Sequence, residues 1–442
     1  MKKLYIQTYG CQMNQYDSER IARLLGREGY AAAARAEEAD LILLNTCSVR
    51  DKAEQKVYSA LGRWRELKEN KPGLIIAVGG CVAQQEGEAL LRRAPYVDLV
   101  VGTQNIHKLG EMVREVETLH RRPAELAFYR DPSYMEDGEG APRVQGAMAY
   151  VTIMQGCNKV CSFCIVPYVR GRELSRPSGK ILAEIGQLVR DGVKEIMLLG
   201  QNVNSYGKTA AGDLSFPELL RRINVIEGLE RIRFTTSHPE DLSPELIEAY
   251  ATLEKLCEHL HLPVQSGSDS VLTRMRRGYT REKYLEKIRR LRERCPKVSL
   301  TTDIIVGFPG ETDEEFAATL EILERVEYDE IYAFSYSPRP HTLAGKLYLD
   351  DVPEEVKKRR LERVLNRQGE ISLRRNRKKI GEIEEILIEG PAKLRDGQIM
   401  GRTRSHKIVN AAGSEALAGK LAAVRITAAS PNSLLGELAA AQ

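Results

Sequence analysis

Three cysteines, at positions 157, 161 and 164, constrain this chain more than any other feature. They lie in one short stretch, Met-Gln-Gly-Cys-Asn-Lys-Val-Cys-Ser-Phe-Cys-Ile-Val-Pro-Tyr, which runs from residue 154 to residue 168. Three residues and then two residues separate them, so one loop can place three thiolates on three corners of an iron–sulfur cube. The fourth iron then has no protein ligand and is free to bind a substrate or cofactor. We therefore predict that Cys157, Cys161 and Cys164 ligate a 4Fe-4S cluster.

Zinc is the main alternative, because closely spaced cysteines also suit a tetrahedral zinc site. Such a site takes a fourth Cys or His ligand, and none follows along the chain until His238. Disulfides are disfavoured because the first residues do not resemble a secretory signal. No apolar run approaches the ~20 residues that cross a bilayer. We expect a cytoplasmic protein that does not interact with membranes.

The first part of the chain, residues 1–120, alternates short apolar runs with amphipathic stretches. This pattern is typical of βα units around a parallel sheet, and a chain of 442 residues has room for further domains. The predicted strands cover residues 3–9, 40–46, 74–78 and 97–101. The predicted helices cover residues 16–28, 51–68, 83–93 and 105–120.

A cysteine follows each of the first three predicted strands. Cys11, Cys47 and Cys81 are far apart in sequence, but the carboxyl ends of parallel strands share one edge of a sheet. Each cysteine also precedes a predicted helix, whose N-terminus favours a thiolate. Free cysteines are common in protein cores, so three unrelated buried thiols are the alternative. Because all three occupy equivalent strand ends, we favour a second 4Fe-4S cluster with one open iron.

A second βα series follows a linker at residues 121–146 that contains three prolines and an acidic stretch. About six strands are predicted here, at residues 149–155, 195–199, 229–236, 260–264, 299–306 and 331–335. The α/β pattern indicates a partial (β/α)6 barrel within residues 147–376, with ligands at the carboxyl ends of its strands.

The Cys-x3-Cys-x2-Cys loop resembles that of the radical S-adenosylmethionine (SAM) enzymes. In that superfamily the open iron chelates SAM, and an electron from the cluster cleaves SAM to methionine and a 5′-deoxyadenosyl radical. Together with the N-terminal cysteines, the chain resembles the methylthiotransferase family over nearly its entire length. Three stretches most resemble the branch that acts on prenylated adenosine in tRNA: Asn-Thr-Cys-Ser-Val-Arg at 45–50, Ile-Val-Pro-Tyr-Val-Arg-Gly-Arg-Glu at 165–173 and Thr-Ser-His-Pro at 236–239.

Polar residues just past the strand ends are candidates for holding SAM: Gln201, Asn202, Ser237, Gln265 and Asp303. Gln201 and Asn202 occupy the place where many radical SAM enzymes have Gly-Gly-Glu. For His238, a role in forming a turn is favoured over a functional role. We expect His259 and His261 to be structural. We expect Cys257 and Cys295 to be core or surface thiols. In residues 336–344, His341 and Leu343 replace a Gly and a Pro of the family's usual pattern.

The last part of the chain combines a basic stretch with short β-like runs. The net charge of +4 does not by itself indicate nucleic-acid binding, but eleven Lys and Arg residues fall within residues 353–379. A helix there presents either a positive stripe to a phosphate backbone or a solvated charged face. Short predicted strands from residue 380 onward suggest a small β-barrel. Residues 377–442 resemble a TRAM domain, which implies RNA binding.

The resemblance implies a tRNA methylthiotransferase with two 4Fe-4S clusters and SAM. Its expected reaction replaces the carbon-2 hydrogen of N6-dimethylallyladenosine, at position 37 beside the anticodon, with a methylthio group, and consumes two SAM. The expected partners are the tRNA, an electron donor such as flavodoxin or ferredoxin, and a sulfur donor, and we expect a monomer. The alternatives are the same chemistry on threonylcarbamoyl-adenosine or on a ribosomal protein aspartate, a second cluster that only relays electrons, and a non-catalytic zinc protein that binds RNA.

Overall fold

The computed structural model describes residues 1–48, 51–136, 146–209, 213–392 and 397–439, and it describes no side chains for residues 51–55. The first domain consists of these elements in chain order: β1 Lys2–Thr8, α1 Gln12–Arg27, β2 Tyr30–Ala32, β3 Leu41–Thr46, α2 Asp51–Asn70, β4 Ile75–Gly80, α3 Cys81–Glu86, α4 Glu88–Arg93, β5 Leu99–Val101, α5 Leu109–Leu119 and β6 Ala124–Glu125.

The six N-terminal strands form one parallel sheet in the order β2-β1-β3-β4-β5-β6. β3 and β4 are buried along their whole length because helices cover both faces of the sheet. The predicted strands and helices are found within a few residues, and the predicted helix at 83–93 is divided at Gly87. The edge strands β2 and β6 were not predicted, since each is at most three residues long. β6 lies in the segment predicted as a linker.

The central domain adds a second βα series. Its elements are β7 Met148–Thr152, β8 Met154–Gln155, α6 Val166–Val169, β9 Leu174–Ser175, α7 Ser178–Arg190, β10 Glu195–Leu199, α8 Phe216–Asn224, β11 Arg231–Phe234, α9 Pro244–Thr252, β12 His259–His261, α10 Asp269–Arg274, α11 Arg281–Arg294, β13 Ser299–Val306, α12 Asp313–Val326, β14 Glu330–Ser335, α13 Leu343–Leu347 and α14 Glu354–Arg377.

Six of these strands form the curved parallel wall of a partial barrel. They pair in two sets, β11-β10-β7 and β12-β13-β14, and a parallel bridge between Ile232 and Leu256 joins the sets. One hydrophobic core runs behind both sets and includes Phe216, Phe234 and Tyr284. The open side of the wall faces the N-terminal domain, where Met13 and Tyr16 of α1 pack against Met197 and Leu199 of β10.

The tail forms a closed five-stranded barrel from β15 Ile383–Pro391, β16 Gln398–Thr403, β17 Ile408–Ala412, β18 Leu421–Ala429 and β19 Leu434–Leu438. Its order is β15-β16-β17-β19-β18, so the last strand inserts between β17 and β18. The predicted three-part α/β architecture with a C-terminal barrel is therefore confirmed. Within the described ranges, no helix has the length and apolar character needed to cross a membrane.

Most cations of the basic helix α14 form ion pairs with acidic residues elsewhere in the central domain. Lys357 pairs with Asp350 at 2.6 Å, Arg360 with Glu311 at 2.8 Å and Arg375 with Asp329 at 3.0 Å. Arg367 and Arg374 are paired with acids of α12 and the residue that follows it. Exposed cations that form no ion pair with a described residue remain at Arg359, Arg363, Arg377 and Lys378. The continuous positive stripe considered from the sequence is therefore largely neutralised.

Two buried arginines of β11 attach the barrel to the central sheet. Arg231 donates to the carbonyls of Arg402 (2.8 Å) and Glu385 (3.0 Å). Arg233 donates to the carbonyls of Thr403 (2.6 Å) and Arg404 (2.8 Å) and to Glu195 (2.9 Å). Removing such a side chain breaks several buried hydrogen bonds at once, which is costly wherever an acceptor is left unpaired.

We expect Arg233→Met to loosen the barrel. The change leaves buried Glu195 without its closest cation and removes one donor from each of two carbonyls, which costs about 3 kcal/mol, so the opening equilibrium shifts about a hundredfold. Hydrogen exchange at the amides of β16, followed by mass spectrometry, measures this effect. Arg221→Met, which removes an exposed ion pair to Glu218 on α8, is the control and leaves exchange within β16 unchanged. Equal exchange in both variants would contradict this account of the interface.

Candidate active site

The three N-terminal cysteines meet at one edge of the first sheet. Cys11, Cys47 and Cys81 follow β1, β3 and β4, which are adjacent strands. The thiols of Cys11 and Cys47 are within hydrogen-bonding contact, and Cys81 lies close enough to interact with Cys11. Gly10 makes this approach possible, because a Cβ atom there would lie only 2.7 Å from that of Cys47. The convergence inferred from strand topology is present in the structure.

A buried arginine from the central domain enters this group of thiols. Arg170 lies 2.9 Å from Asp17 of α1 and interacts with Cys11 and Cys81. The Cys47 contact, aided by the positive charge of Arg170, outweighs burial and lowers the pKa of Cys11 to about 6. Burial dominates at Cys81 and raises the pKa of its thiol. The site therefore favours at least one thiolate before any metal is present.

The second cysteine triad occupies the loop between β8 and α6. The backbone N–H of Lys159 donates to the Cys157 sulfur at 3.4 Å, and the Arg277 guanidinium donates to the Cys161 sulfur at 3.2 Å. Burial, followed by the neighbouring Cys161, raises the pKa of Cys157 to about 11 and that of Cys164 to about 12. Coordination to iron reverses this preference, since a metal-bound thiol is deprotonated.

Both triads fit a cubane cluster by their donor chemistry. The first triad presents three thiols at the ends of adjacent parallel strands, and the second presents three thiols on the loop that follows β8. Among the described residues, no group of three His, Cys, Asp or Glu side chains is arranged to hold a single metal ion. In a cubane each thiolate binds a different iron, so the ligands stand apart from one another.

Unpaired polar atoms line the central strand ends beside the second triad. Five buried side-chain atoms there lack a hydrogen-bond partner among the described residues: Glu173 Oε1, Asn202 Oδ1, Ser237 Oγ, His238 Nε2 and Gln265 Oε1. Buried polar groups are normally satisfied, so a set of unpaired ones indicates a polar ligand. A molecule that carries an ammonium, a carboxylate and ribose hydroxyls, as SAM does, fits this lining.

The predicted SAM-binding residues occupy different positions in this lining. Gln201 accepts a hydrogen bond from the Gly156 backbone at 2.6 Å and so supports the cysteine loop. Asn202 donates to Asp241 at 2.7 Å and keeps its carbonyl oxygen free. Ser237 is buried with its hydroxyl unpaired.

Gln265 and Asp303 belong to the second set of strands. Gln265 has a positive φ of 75° and donates its backbone N–H to the Asp303 carbonyl at 2.9 Å. Such a backbone conformation is uncommon outside glycine and often marks a functional position. The Asp303 carboxylate lies 3.5 Å from His261 Nε2 and is partly exposed.

Three further residues of the site were not predicted. Glu173 accepts from Ser205 at 2.7 Å, and its second oxygen is unpaired. Asp241 accepts from Lys208 at 2.5 Å and from Asn202, and its carboxylate lies 3.0 Å from Lys159. Arg277 comes from a turn 116 residues beyond Cys161. Glu173 lies inside the quoted stretch at 165–173, which was a usable signal, whereas nothing in the local sequence singles out Arg277.

The loop at residues 336–344 lies against the cysteine loop. The Ala344 backbone N–H donates to the Ser162 carbonyl at 2.7 Å. His341 has φ 70°, a conformation that favours glycine, at the position where the family pattern has glycine. His341 thus adopts a backbone conformation that a glycine at this position would also allow.

The remaining histidines and cysteines have structural surroundings. His259 stacks on His406 at 4.8 Å between the ring centroids, and His261 bonds to Thr301 at 2.9 Å. Cys257 and Cys295 are buried in the central domain.

Three family models match the chain. The family described as Uncharacterized protein family UPF0004 matches residues 3–102, the Radical SAM superfamily matches residues 151–323, and the TRAM domain matches residues 377–439. The fold and the second cysteine triad thus define a radical SAM protein with an additional domain on each side.

Curated relatives extend this assignment to the full chain. A tRNA-2-methylthio-N(6)-dimethylallyladenosine synthase of Geobacter metallireducens is 54% identical and covers 100% of this chain and 99% of its own. The enzyme of the same name from Syntrophotalea carbinolica is 51% identical over 99% of this chain and 100% of the relative. That from Aeromonas salmonicida is 49% identical over 98% of this chain and 91% of the relative. The chain belongs to the family of tRNA-2-methylthio-N(6)-dimethylallyladenosine synthases.

Solved structures share the fold at low sequence identity. The radical SAM methyltransferase TsrM from Kitasatospora setae, with cobalamin and a 4Fe-4S cluster bound, has a TM-score of 0.57 at 16% identity, over 78% of this chain and 77% of that one. The cobalamin-dependent radical SAM enzyme OxsB has a TM-score of 0.53 at 14% identity, over 82% of this chain and 56% of that one. These likenesses concern the fold alone.

The structure favours the turn-forming role for His238, which leads to a prediction about pH. His238 Nδ1 accepts from the Glu240 backbone at 3.3 Å, and burial, with the nearby Arg277 charge, lowers its pKa to about 2. The ring therefore stays neutral in the folded protein, whereas in the unfolded chain it binds a proton below about pH 6.5. Below that pH, His238 should reduce stability by about 1.4 kcal/mol per pH unit as the pH falls.

NMR of ¹³C-labelled histidine checks this directly. The Cε1–H resonance of His238, assigned by its absence in His238→Gln, should not move between pH 8 and pH 5. A titration midpoint near pH 6.5 would show that the ring is accessible to protons and not buried as described.

Proposed function

We propose that this protein replaces the carbon-2 hydrogen of N6-dimethylallyladenosine, at position 37 of tRNA, with a methylthio group, using two SAM molecules per turnover. Family membership supports the reaction, because relatives about half identical over the full chain carry it in their names. The structural observation that carries the proposal is the presence of two cysteine triads, each at the strand ends of its own domain.

Each triad is assigned a separate role. Cys157, Cys161 and Cys164 would hold the cluster that binds SAM, and Cys11, Cys47 and Cys81 would hold the second one. With clusters and SAM bound, the two sites supply a 5′-deoxyadenosyl radical and an iron that can carry sulfur.

The chain's own residues orient these groups. Gln201 holds the Gly156 backbone and so fixes the cysteine loop, and Arg277 places a positive charge on Cys161. The unpaired oxygens of Asn202, Ser237 and Gln265 are proposed to hydrogen-bond the polar groups of SAM. Asp303, beside His261, is proposed to contribute from the edge of the same lining.

The partners follow from the proposed chemistry. The barrel at 377–439 supports contact with the tRNA, through its match to the TRAM domain. Reductive cleavage of SAM needs an electron donor, for which flavodoxin or ferredoxin is proposed, and the inserted sulfur needs a donor of its own. We propose a monomer that acts in the cytoplasm, where its tRNA substrate is modified.

An iron count combined with a substrate assay tests the function. We expect about eight irons in the anaerobically reconstituted protein and about four in Cys157→Ala/Cys161→Ala/Cys164→Ala, by Mössbauer spectroscopy. The parent, given SAM and a reductant, should form the methylthio nucleoside on prenylated tRNA, and the triple variant should form none. Cys257→Ala/Cys295→Ala is the matched control, which should retain all eight irons and the product, because both thiols lie in the core.

Other outcomes distinguish the alternatives. Four irons in the parent and none in the triple variant would remove the second cluster from the proposal. Product on tRNA with threonylcarbamoyl-adenosine, or on a ribosomal protein, would keep the chemistry and change the substrate. Eight irons with SAM cleavage and no methylthio product on any substrate would favour electron relay.

Ser237→Ala tests the proposed SAM lining. The hydroxyl is buried and unpaired, so its removal should not destabilise the fold. Loss of a hydrogen bond to SAM should weaken SAM binding about threefold to tenfold, as measured by equilibrium dialysis on the cluster-loaded protein. Ser372→Ala, which removes a buried hydroxyl bonded to Asp329, is the control and leaves SAM affinity unchanged. Unaltered affinity in Ser237→Ala would exclude this contact.

A further inference from the structure

The segment from Ile165 to Gly171 connects the two cysteine sites. Its start follows Cys164 directly, and the Gly171 carbonyl accepts from the Cys157 backbone at 3.2 Å. On the other side, Thr103 donates to the Val169 carbonyl at 2.6 Å and Gln104 donates to the Arg170 carbonyl at 2.9 Å. A single short segment is thus held by the central domain and by the N-terminal domain at the same time.

The apolar side chains of this segment contact the N-terminal site. Ile165 and Val169 pack against Cys81 in a small buried cluster. Their packing shields the Cys81 thiol from water, whereas Cys11 is exposed. Charge-assisted interactions are stronger in such dry surroundings, and an unpaired charge there is correspondingly costly.

Arg170 is the polar member of the segment and has unused hydrogen-bonding capacity. It is 3% exposed, and its Nη1 lies 2.9 Å from Asp17 Oδ2. It also interacts with the thiols of Cys11 and Cys81, and it lies within hydrogen-bonding range of Cys81. However, neither Nη1 nor Nη2 meets a partner at hydrogen-bond geometry among the described residues. A guanidinium has five N–H donors, and those of a buried arginine are normally paired.

The surroundings define what these donors can bind. The acceptor must be small, because Arg170 is only 3% exposed and lies against Asp17, which leaves little room beside its guanidinium. It must also be anionic, since a buried guanidinium favours charged acceptors. Apart from Asp17, the groups that interact with Arg170 most strongly are thiols, so a sulfur anion on an adjacent metal is the acceptor that this position can reach.

We propose that Arg170 is a positioning residue that hydrogen-bonds a small anionic sulfur ligand, hydrosulfide or a methanethiolate-like anion, at the open iron of the N-terminal cluster. The inference rests on the proposed function, which places a cluster on Cys11, Cys47 and Cys81. It adds a named protein donor for the sulfur and gives the segment at 165–171 a role in both sites.

The test uses full-length Cys157→Ala/Cys161→Ala/Cys164→Ala protein, reconstituted so that only the N-terminal cluster is present. Methanethiolate is titrated into this protein, and binding is followed by the Mössbauer parameters of the unique iron. Adding Arg170→Met should weaken methanethiolate binding about tenfold to a hundredfold, because a charge-assisted hydrogen bond is lost. Arg170→Lys should recover part of the affinity, since it keeps the charge and loses the planar geometry.

Two comparisons separate this role from simple bracing of the fold. Arg176→Met removes another buried arginine, paired with Glu184 at 2.8 Å, and should leave the affinity unchanged. The reduction potential of the cluster should fall in Arg170→Met and rise in Asp17→Asn, since the two changes remove charges of opposite sign. Opposite shifts show that both side chains act on the cluster through their charges, which the loss of a structural brace alone would not produce. Because Asp17→Asn and Arg170→Lys preserve size, they serve as the test even where Arg170→Met does not load a cluster.

The possible failures are distinguishable. A triple variant that holds no iron would overturn both the second cluster and this inference. A loaded cluster whose methanethiolate affinity is equal in the parent, Arg170→Met and Arg170→Lys would overturn the inference alone.

Discussion

Hydrogen bonds from Thr103 and Gln104 to the carbonyls of Val169 and Arg170 hold the two halves of the active site in register. Backbone carbonyls in a buried junction need donors, and here the donors come from the other domain. The two cysteine triads therefore cannot move apart without breaking satisfied hydrogen bonds. A reaction that uses groups from both sites needs this fixed separation, since small errors in position are costly in catalysis.

The barrel is attached to the central domain by hydrogen bonds from two buried arginines. Arg231 and Arg233 are almost fully buried, yet most of their donors are directed at backbone carbonyls instead of carboxylates. An arginine can serve several carbonyls at once because its donors lie in one plane. The result is an oriented junction, in which hydrogen bonds from β11 specify the direction of the barrel.

Much of the architecture was predictable from local sequence. The strands at 41–46 and 75–80 each begin with four consecutive apolar residues, and the rule that parallel strands share an edge predicted that Cys11, Cys47 and Cys81 lie together. Edge strands were missed because two or three residues give no periodic signal. The neutralisation of α14 was missed because its partners, such as Asp329 and Glu311, come from elements distant in sequence.

The site itself was predictable where the signal was local and not where it depended on tertiary contacts. Cysteine spacing identified the loop, and its neighbours Gln201 and Asn202 were found by their position after a strand. That Gln201 supports the Gly156 backbone, and that Arg277 reaches Cys161, depends on how remote turns pack. Pairings of this kind arise from the assembled fold, so no single stretch of sequence encodes them.

The position of β19 has a consequence for biosynthesis. This strand lies between β17 and β18, parallel to the first and antiparallel to the second. The barrel therefore cannot close until residues 434–438 have been translated and have left the ribosome. Domains fold in the order in which they are made, so the α/β parts can form while the barrel is still an open sheet with two unpaired edges. During that interval the nascent chain carries exposed strand edges, which can pair with the strands of other chains.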